Sequence, residues 1–216
     1  MDLIMIREIF RFFRYRRKSQ TFCAKATVRG KNHLFGLSAG IALCCGSTKE
    51  DVEIEDNVWI YGNLISQNHG KIHMGKYTKI GAGSKILSVN SVFIGDYTAI
   101  ADNTTICDNN NHPVNPDFRL YMRTTSEFDD SRMWRHSDNA PIVIGKNCWI
   151  GTNVRIQKGV TIGDNSVIAA CSVVTKNIPA NCIAAGNPAR VVKTDIDKIP
   201  APTSCQGYNE YVETKR

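Results

Sequence analysis

Five histidines stand in this chain: His33, His69, His73, His112 and His136. His112 has the setting that chemistry would use. It lies in Asn109-Asn110-Asn111-His112-Pro113, a polar stretch whose proline stiffens the backbone behind the imidazole. A neutral imidazole is the commonest general base near neutral pH. On position alone the residue competes with an ordinary surface histidine. The eight cysteines (Cys23, Cys44, Cys45, Cys107, Cys148, Cys171, Cys182 and Cys205) form no CxxC pair. They read as free thiols of a reducing cytosol, with Cys148 and Cys171 buried, rather than as a disulfide framework or a zinc cluster.

The elements that would hold such an imidazole follow from a beat of six. Aliphatic residues recur at Ile144, Ile150, Ile156, Ile162, Ile168 and Val174, and earlier at Ile54 and Ile60, at Met74, Ile80 and Ile86, and at Ile94, Ile100 and Ile106. A small residue usually follows each one, and a small or β-branched residue comes four positions after it: Val58, Thr78, Ser84, Thr98, Thr104, Cys148, Val154 and Ser166 are examples. A period of six fits neither a helix nor a simple alternating strand. It predicts an all-β solenoid with three hexapeptides per triangular coil, the aliphatic residue filling the interior. The small residue after it is expected at a corner, where Gly or Ala permits unusual dihedrals and close backbone approach. The first coils repeat at 20 residues rather than 18 (54 to 74 to 94), so each carries two extra residues at one corner. A β-sandwich would not space its turns so evenly.

The beat stops for 37 residues between Ile106 and Ile144, and His112 falls in that gap. A long interruption of a regular solenoid reads as a loop thrown outward, and such loops carry function. The expected organisation is an N-terminal helix and irregular cap over 1–50, a β-helix domain over 51–193 with the loop at 107–141, and a tail over 194–216. Residues 2–18 are amphipathic: Leu3, Ile6, Phe10 and Phe13 keep helical spacing among arginines. Two readings of that helix stay open, a cap on the open end of the solenoid, which is preferred, and a peripheral contact with anionic membrane. The formal charge is +7, part of it gathered in residues 7–18, and the pI is about 9.0. No nucleic-acid partner is expected. Apolar residues make up 42% of the chain, yet no run approaches the ~18 that span a bilayer. Leu3–Ile6 is too short an apolar stretch for a signal peptide.

Three segments, NHPVNPDFR (111–119), IGKNCWIGTNVRIQKGVTIGDNSVIAACSVVTKNIP (144–179) and AAGNPARVVK (184–193), closely resemble the hexapeptide-repeat acetyltransferases, in particular the maltose, galactoside and polysaccharide O-acetyltransferase branch. The resemblance covers about residues 52–193. It implies a left-handed parallel β-helix, a homotrimer and acetyl-CoA as co-substrate, with no metal. It also implies that His112 is the catalytic base that takes the proton of an acceptor hydroxyl, and that a backbone amide near Trp149–Thr152 receives the oxyanion. By the same likeness Thr152 lies near the thioester and pantetheine, Ala170 offers a backbone contact to the pantetheine arm, and Thr175 and Lys176 approach the nucleotide end. Arg190 and Lys193 would meet the phosphates, and Trp149 would contact the carrier, a neighbouring subunit or both. Galactoside-type members carry an acidic residue about six positions before the glycine that corresponds to Gly95. Here Ser88-Val89-Asn90 occupies that region without a carboxylate. Asn90 is the acceptor-side candidate that remains, and a free β-galactoside is disfavoured.

The function these features imply is acetyl transfer to a sugar hydroxyl of a surface polysaccharide or its precursor, in the cytoplasm or at the inner face of the membrane. Alternatives are O-acetylation of an antibiotic and a non-catalytic solenoid binding protein. A solenoid hydratase of the carbonic anhydrase kind needs three histidines on one zinc. His69 and His73, four apart, cannot occupy equivalent faces of a six-residue repeat.

Overall fold

The computed structural model describes residues 3–214; Met1, Asp2, Lys215 and Arg216 lie outside the described residues, and with them the start of the 2–18 stretch and the end of the tail. The chain winds as a left-handed parallel β-helix with three sheets. The first sheet stacks Thr27–Val28, Val52–Ile54, Lys71–Met74, Ser91–Ile94, Ile142–Ile144 and Thr161–Ile162. The second runs from Leu34–Phe35 through Trp59–Ile60, Lys79–Ile80, Ala99–Ile100, Trp149–Ile150 and Val167–Ile168 to Ile183–Gly186. The third stacks Gly40–Cys44, Asn63–Gln67, Lys85–Ser88, Thr105–Cys107, Arg155–Ile156 and Val173–Val174. The ladder thus begins at Thr27, so the expected cap over 1–50 contains one full coil.

Register follows the beat. Ile54 pairs Met74, Met74 pairs Ile94, Ile94 pairs Ile144 and Ile144 pairs Ile162. The pairing of Ile94 with Ile144 passes over the whole insertion without losing register. The aliphatic positions from Ile54 to Val174 are at most 1% exposed, and the fourth-position residues Thr78, Ser84, Thr98, Thr104 and Ser166 are buried with them. Inside the prism these hydroxyls are satisfied by corner carbonyls: Thr98 Oγ1 donates to Gly145 O at 2.8 Å and Thr104 Oγ1 to Gly151 O at 2.9 Å.

The corners differ from expectation in one respect. Gly95 and Gly145, the small residues after the aliphatics, do not take positive φ. They are small because coils approach closely: a Cβ on Gly145 would lie 2.3 Å from Asp164 Oδ1, and one on Gly95 would lie 2.7 Å from the Gly145 carbonyl carbon. The left-handed residue comes two positions later, at Asn147 (φ 52), Asn153 (φ 56), Asn165 (φ 60) and Asn181 (φ 56). Asparagine tolerates that region because its short side chain bonds locally. Cys171 occupies the equivalent corner (φ 60) and is exposed, which corrects its reading as a buried thiol; the buried neighbour is Ser172.

Helix α1, Leu3–Lys25, closes the N-terminal opening with its last two turns. Phe22 is fully buried and stacks on Phe35 at 4.3 Å between ring centroids. Lys18 and Lys25 donate to the carbonyls of Ala39 and Ile41. Capping thus falls to Lys18–Lys25, whereas the sequence reading gives that role to residues 2–18. At the other end Ala189–Lys193 pairs antiparallel with Ile183–Gly186, ending the second sheet in a hairpin.

Candidate active site

Each coil has three corners, and the insertion uses one of them. Between the third and first sheets, coils two and three carry their extra residues at Asn68–Gly70 and Val89–Asn90, and the next coil throws out the segment that holds His112. The same corner in later coils holds Gln157–Gly159 and Thr175–Asn177.

Asp108 anchors the start of the loop. Alternation inward from Ile106 turns this carboxylate toward the interior, where it is fully buried. It accepts hydrogen bonds from Ser88 Oγ at 2.7 Å, Val89 N at 3.0 Å, Asn90 N at 2.9 Å and Asn109 Nδ2 at 3.0 Å. Four donors on one carboxylate compensate its desolvation. The two ends of the loop are zipped above it: Ala140 N donates to Asp108 O at 2.9 Å and Asn110 N to Asp138 O at 3.0 Å. Asn109 Oδ1 accepts Asn111 N at 2.8 Å, Asn111 takes left-handed dihedrals (φ 62), and His112 N donates to Asn110 O at 2.7 Å. This tight turn presents an exposed His112 immediately outside the zipped base. Asn90 joins the base, its amide donating to Asn139 Oδ1 at 2.9 Å.

The rest of the loop is partly helical. Asn115-Pro116-Asp117 opens α2, Pro116–Thr124, with Asn115 Oδ1 accepting Phe118 N at 2.8 Å; the sequence signal was an asparagine cap followed by proline at the first helical position. Arg132 fastens the return path by donating to the carbonyls of Met122, Thr125 and Ser126. Trp134 N bonds Gln67 Oε1 at 2.8 Å, and Cys45 Sγ lies 3.3 Å from Met133 Sδ. Both contacts fall on earlier coils along the same corner, so the loop lies down that edge of the prism. Asp130 accepts from His136 at 2.8 Å and from Arg135; these bonds, His136 first, hold its carboxyl below the usual range.

The residues matched to the carrier sit elsewhere. Trp149, 59% exposed, faces outward from the second sheet, the side of the triangle opposite the His112 corner. Thr152 and Ala170 follow it at the corner between the second and third sheets, in adjacent coils: Cys171 N donates to Thr152 O at 2.9 Å. Arg190 and Lys193 are exposed on the terminal hairpin strand of the second sheet, paired opposite Ala185 and Ile183. Thr175 and Lys176, both exposed, lie at the loop corner above the insertion. Within one chain, then, Trp149, Thr152, Ala170, Arg190 and Lys193 share one side of the prism and its adjoining corner, while His112, Asn90, Thr175 and Lys176 share the opposite edge.

The Thr152 corner carries uncovered donors. At three other positions the amide two residues after the aliphatic is covered by an aspartate one coil on: Lys76 N by Asp96 (2.9 Å), Ala82 N by Asp102 (2.8 Å) and Lys146 N by Asp164 (2.8 Å). Above Thr152 the aspartate position is Ala170, and among the described residues neither the Thr152 nor the Ala170 N–H has an acceptor. Adjacent coils are about 4.8 Å apart. The corner therefore offers two outward amide donors at a spacing suited to a thin chain that carries carbonyl groups.

His69 and His73 do not converge. His69 Nδ1 faces Asp51 at 3.2 Å, whereas His73 stacks on Phe93 and faces Glu53 at 3.4 Å. Among the described residues there is no group of three or more His, Cys, Asp or Glu placed to hold a metal ion.

Known proteins resemble this chain in sequence and in fold. Residues 141–176 match the family described as bacterial transferase hexapeptide (six repeats). The chain is 37% identical over 145 residues to the galactoside O-acetyltransferase of Escherichia coli, covering 67% of this chain and 64% of that protein's length. It is 29% identical over 145 residues to the putative colanic acid biosynthesis acetyltransferase WcaF of the same organism, covering 67% of this chain and 70% of that one. The N-acyltransferase AntD from Bacillus cereus, solved as a variant in complex with dTDP and coenzyme A, superposes with a TM-score of 0.65 at 21% identity, over 91% of this chain and 97% of that one, a likeness of fold.

Proposed function

We propose that the chain is a member of the hexapeptide-repeat acetyltransferases that it resembles, and that it is an acetyl-CoA-dependent O-acetyltransferase acting on a sugar hydroxyl of a surface polysaccharide or its precursor. The observation that carries this reading is the pair of free amides at Thr152 and Ala170 on one side of the prism, with a rigidly based imidazole on the opposite edge. Such a split site is complete only between two copies, and the reading takes the homotrimer that the resemblance implies, with the His112 loop of one chain reaching the carrier groove of the next.

In that groove one pantetheine amide carbonyl and the thioester carbonyl find the two N–H donors, while Trp149 supplies an apolar wall. Arg190 and Lys193 meet the phosphates of the carrier, and Thr175 and Lys176, on the loop edge of the neighbouring chain, approach its nucleotide end. His112 accepts the hydroxyl proton as that oxygen attacks the thioester carbonyl carbon. The tetrahedral oxyanion is held by a backbone N–H, for which Thr152 is the donor with a free hydrogen. Collapse breaks the C–S bond, and the imidazolium returns its proton to the leaving thiolate. No metal has a part in this chemistry. Asn90, fixed at the base of the same loop, lies on the acceptor side. The enzyme works in the cytoplasm, where acetyl-CoA is made and free thiols persist.

The test is an acceptor screen with purified protein, following thiol release from acetyl-CoA. Turnover with glycan or nucleotide-sugar acceptors, and acetyl ester in the product, is expected. Turnover on hydroxylated antibiotics alone would reassign the substrate. Failure of acetyl-CoA to raise the melting temperature would remove the enzyme reading altogether.

A further inference from the structure

Helix α1 carries seven basic residues and one acid, Glu8, a net +6 out of the chain's formal +7, so the solenoid itself is nearly neutral. Its second half has a structural task, with Phe22 locked under Phe35. Before Lys18 the described side chains show none: Arg7, Arg11, Arg14, Arg16 and Arg17 are exposed. So are Ile9 (43%), Phe10 (66%), Phe12 (61%) and Phe13 (57%). Nine residues at about 100° each put Phe13 diametrically opposite Phe22 around the helix. Ile9, Phe10 and Phe13 therefore face away from the solenoid with Arg16 and Arg17 beside them, whereas Phe12 turns toward His33, Leu34 and Phe35. Between the helix and the solenoid, Arg14, Arg17, Lys18, Thr21 and Leu37 line a basic hollow of about 320 Å³.

We propose that the outward face of α1 before Lys18 docks in the plane of a bilayer surface rich in anionic lipid. Ile9, Phe10 and Phe13 enter the headgroup–acyl boundary, and Arg16 and Arg17 lie on lipid phosphates. The charge decides the occupant. A second copy of the helix would set arginine against arginine, and a nucleic acid would leave the aromatic stripe in water. A surface that is both apolar and anionic satisfies both halves. No helix among the described residues is long and apolar enough to cross a membrane, so the contact is peripheral. Docking here holds the solenoid, by its capped end, against the surface. This inference stands apart from the catalytic reading, because it uses none of the site residues.

The experiment is co-sedimentation of the full chain with phosphatidylcholine vesicles, with and without phosphatidylglycerol. Binding to the anionic vesicles alone, weakened by added salt, is expected. The double variants Phe10→Ser/Phe13→Ser and Arg16→Gln/Arg17→Gln should each lose it. Each arginine removed should weaken binding by roughly five-fold. All these positions are exposed, so melting temperature and turnover on a soluble acceptor should not move. Equal binding to neutral vesicles, or no binding to either, would overturn the proposal. So would a change in assembly mass in the phenylalanine variant, which would mean that the stripe covers another copy of the chain.

Discussion

A sugar hydroxyl is far too weak an acid to ionise before it attacks, so its proton must leave in the transition state, and the group that takes it must be fixed in place. His112→Ala should lower kcat by about 10²–10⁴-fold while leaving acetyl-CoA affinity, read by calorimetry, within a few-fold. Equal loss of both would remove the base assignment. Asp108 acts one step back. Its buried carboxylate clamps Ser88, Val89 and Asn90 of one coil to the take-off of the loop in the next. In Asp108→Asn one acceptor becomes a donor facing the amide of Asn109 and the backbone N–H groups. The loop base should loosen, kcat should fall by about ten-fold or more, and the KM for acetyl-CoA should hold. Asp108→Glu should not rescue it, because the carboxylate would be displaced. A drop in melting temperature with unchanged kcat would reduce the residue to a structural role. Burial pushes the thiols of Cys107 and Cys148 up, so a thiol reagent on the native protein should spare them and label exposed Cys171.

At the scale of elements, the coils were legible because their physics repeats. An interior that admits one aliphatic and one small residue per side writes a period of six, and the register from Ile54 to Ile162 follows that beat. The loop was legible as an interruption. Its helix α2 was marked by Asn115-Pro116, and its anchor Asp108 only by alternation inward from Ile106. What the sequence hid was where strain sits at a corner: the glycines answer a close approach, and the left-handed turn falls to asparagine. The division of the candidate site between opposite sides of the prism was also hidden, because it depends on which corner each hexapeptide reaches. A second anchor lies lower on the same edge. The short helical turn Lys49–Asp51 is tied to the next coil by Asp51, 2% exposed, which accepts Lys71 Nζ at 2.6 Å, His69 Nδ1 at 3.2 Å and Thr48 N at 2.7 Å. Burial raises this carboxyl, but the bonds from Lys71, Thr48 and His69 outweigh it and hold it below its ordinary value of 3.8. A carboxyl depressed in the folded state stabilises above its unfolded pKa and ceases to do so as the pH falls through its folded one. Melting temperature should therefore decline below about pH 4 in the native protein, and less steeply in Asp51→Asn, which should already be about 2 kcal/mol less stable at neutral pH. Parallel acid curves for the two proteins would show that Asp51 does not govern the decline.

The whole molecule imposes a condition that no single coil does. The loop lies along one edge, held to Gln67 and Cys45, and does not wrap toward Trp149 on the opposite side. If catalysis needs both, neighbouring chains must share the work, and the requirement can be tested without a structure of the assembly. His112→Ala removes the base from one chain and leaves its carrier side intact. Arg190→Glu places a negative charge where the carrier's phosphates would bind and leaves the base intact. Each variant alone should be nearly inactive. Co-expressed in equal amounts, they form interfaces in which the histidine comes from the Arg190→Glu chain and the groove from the His112→Ala chain. Random mixing makes about a quarter of all interfaces of that kind, and activity should return to about that fraction of the unsubstituted protein. A site contained within one chain allows no such recovery at any mixing ratio, so an inactive mixture whose assembly mass matches the unsubstituted protein would place base and carrier on the same chain and contradict the edge-to-face arrangement.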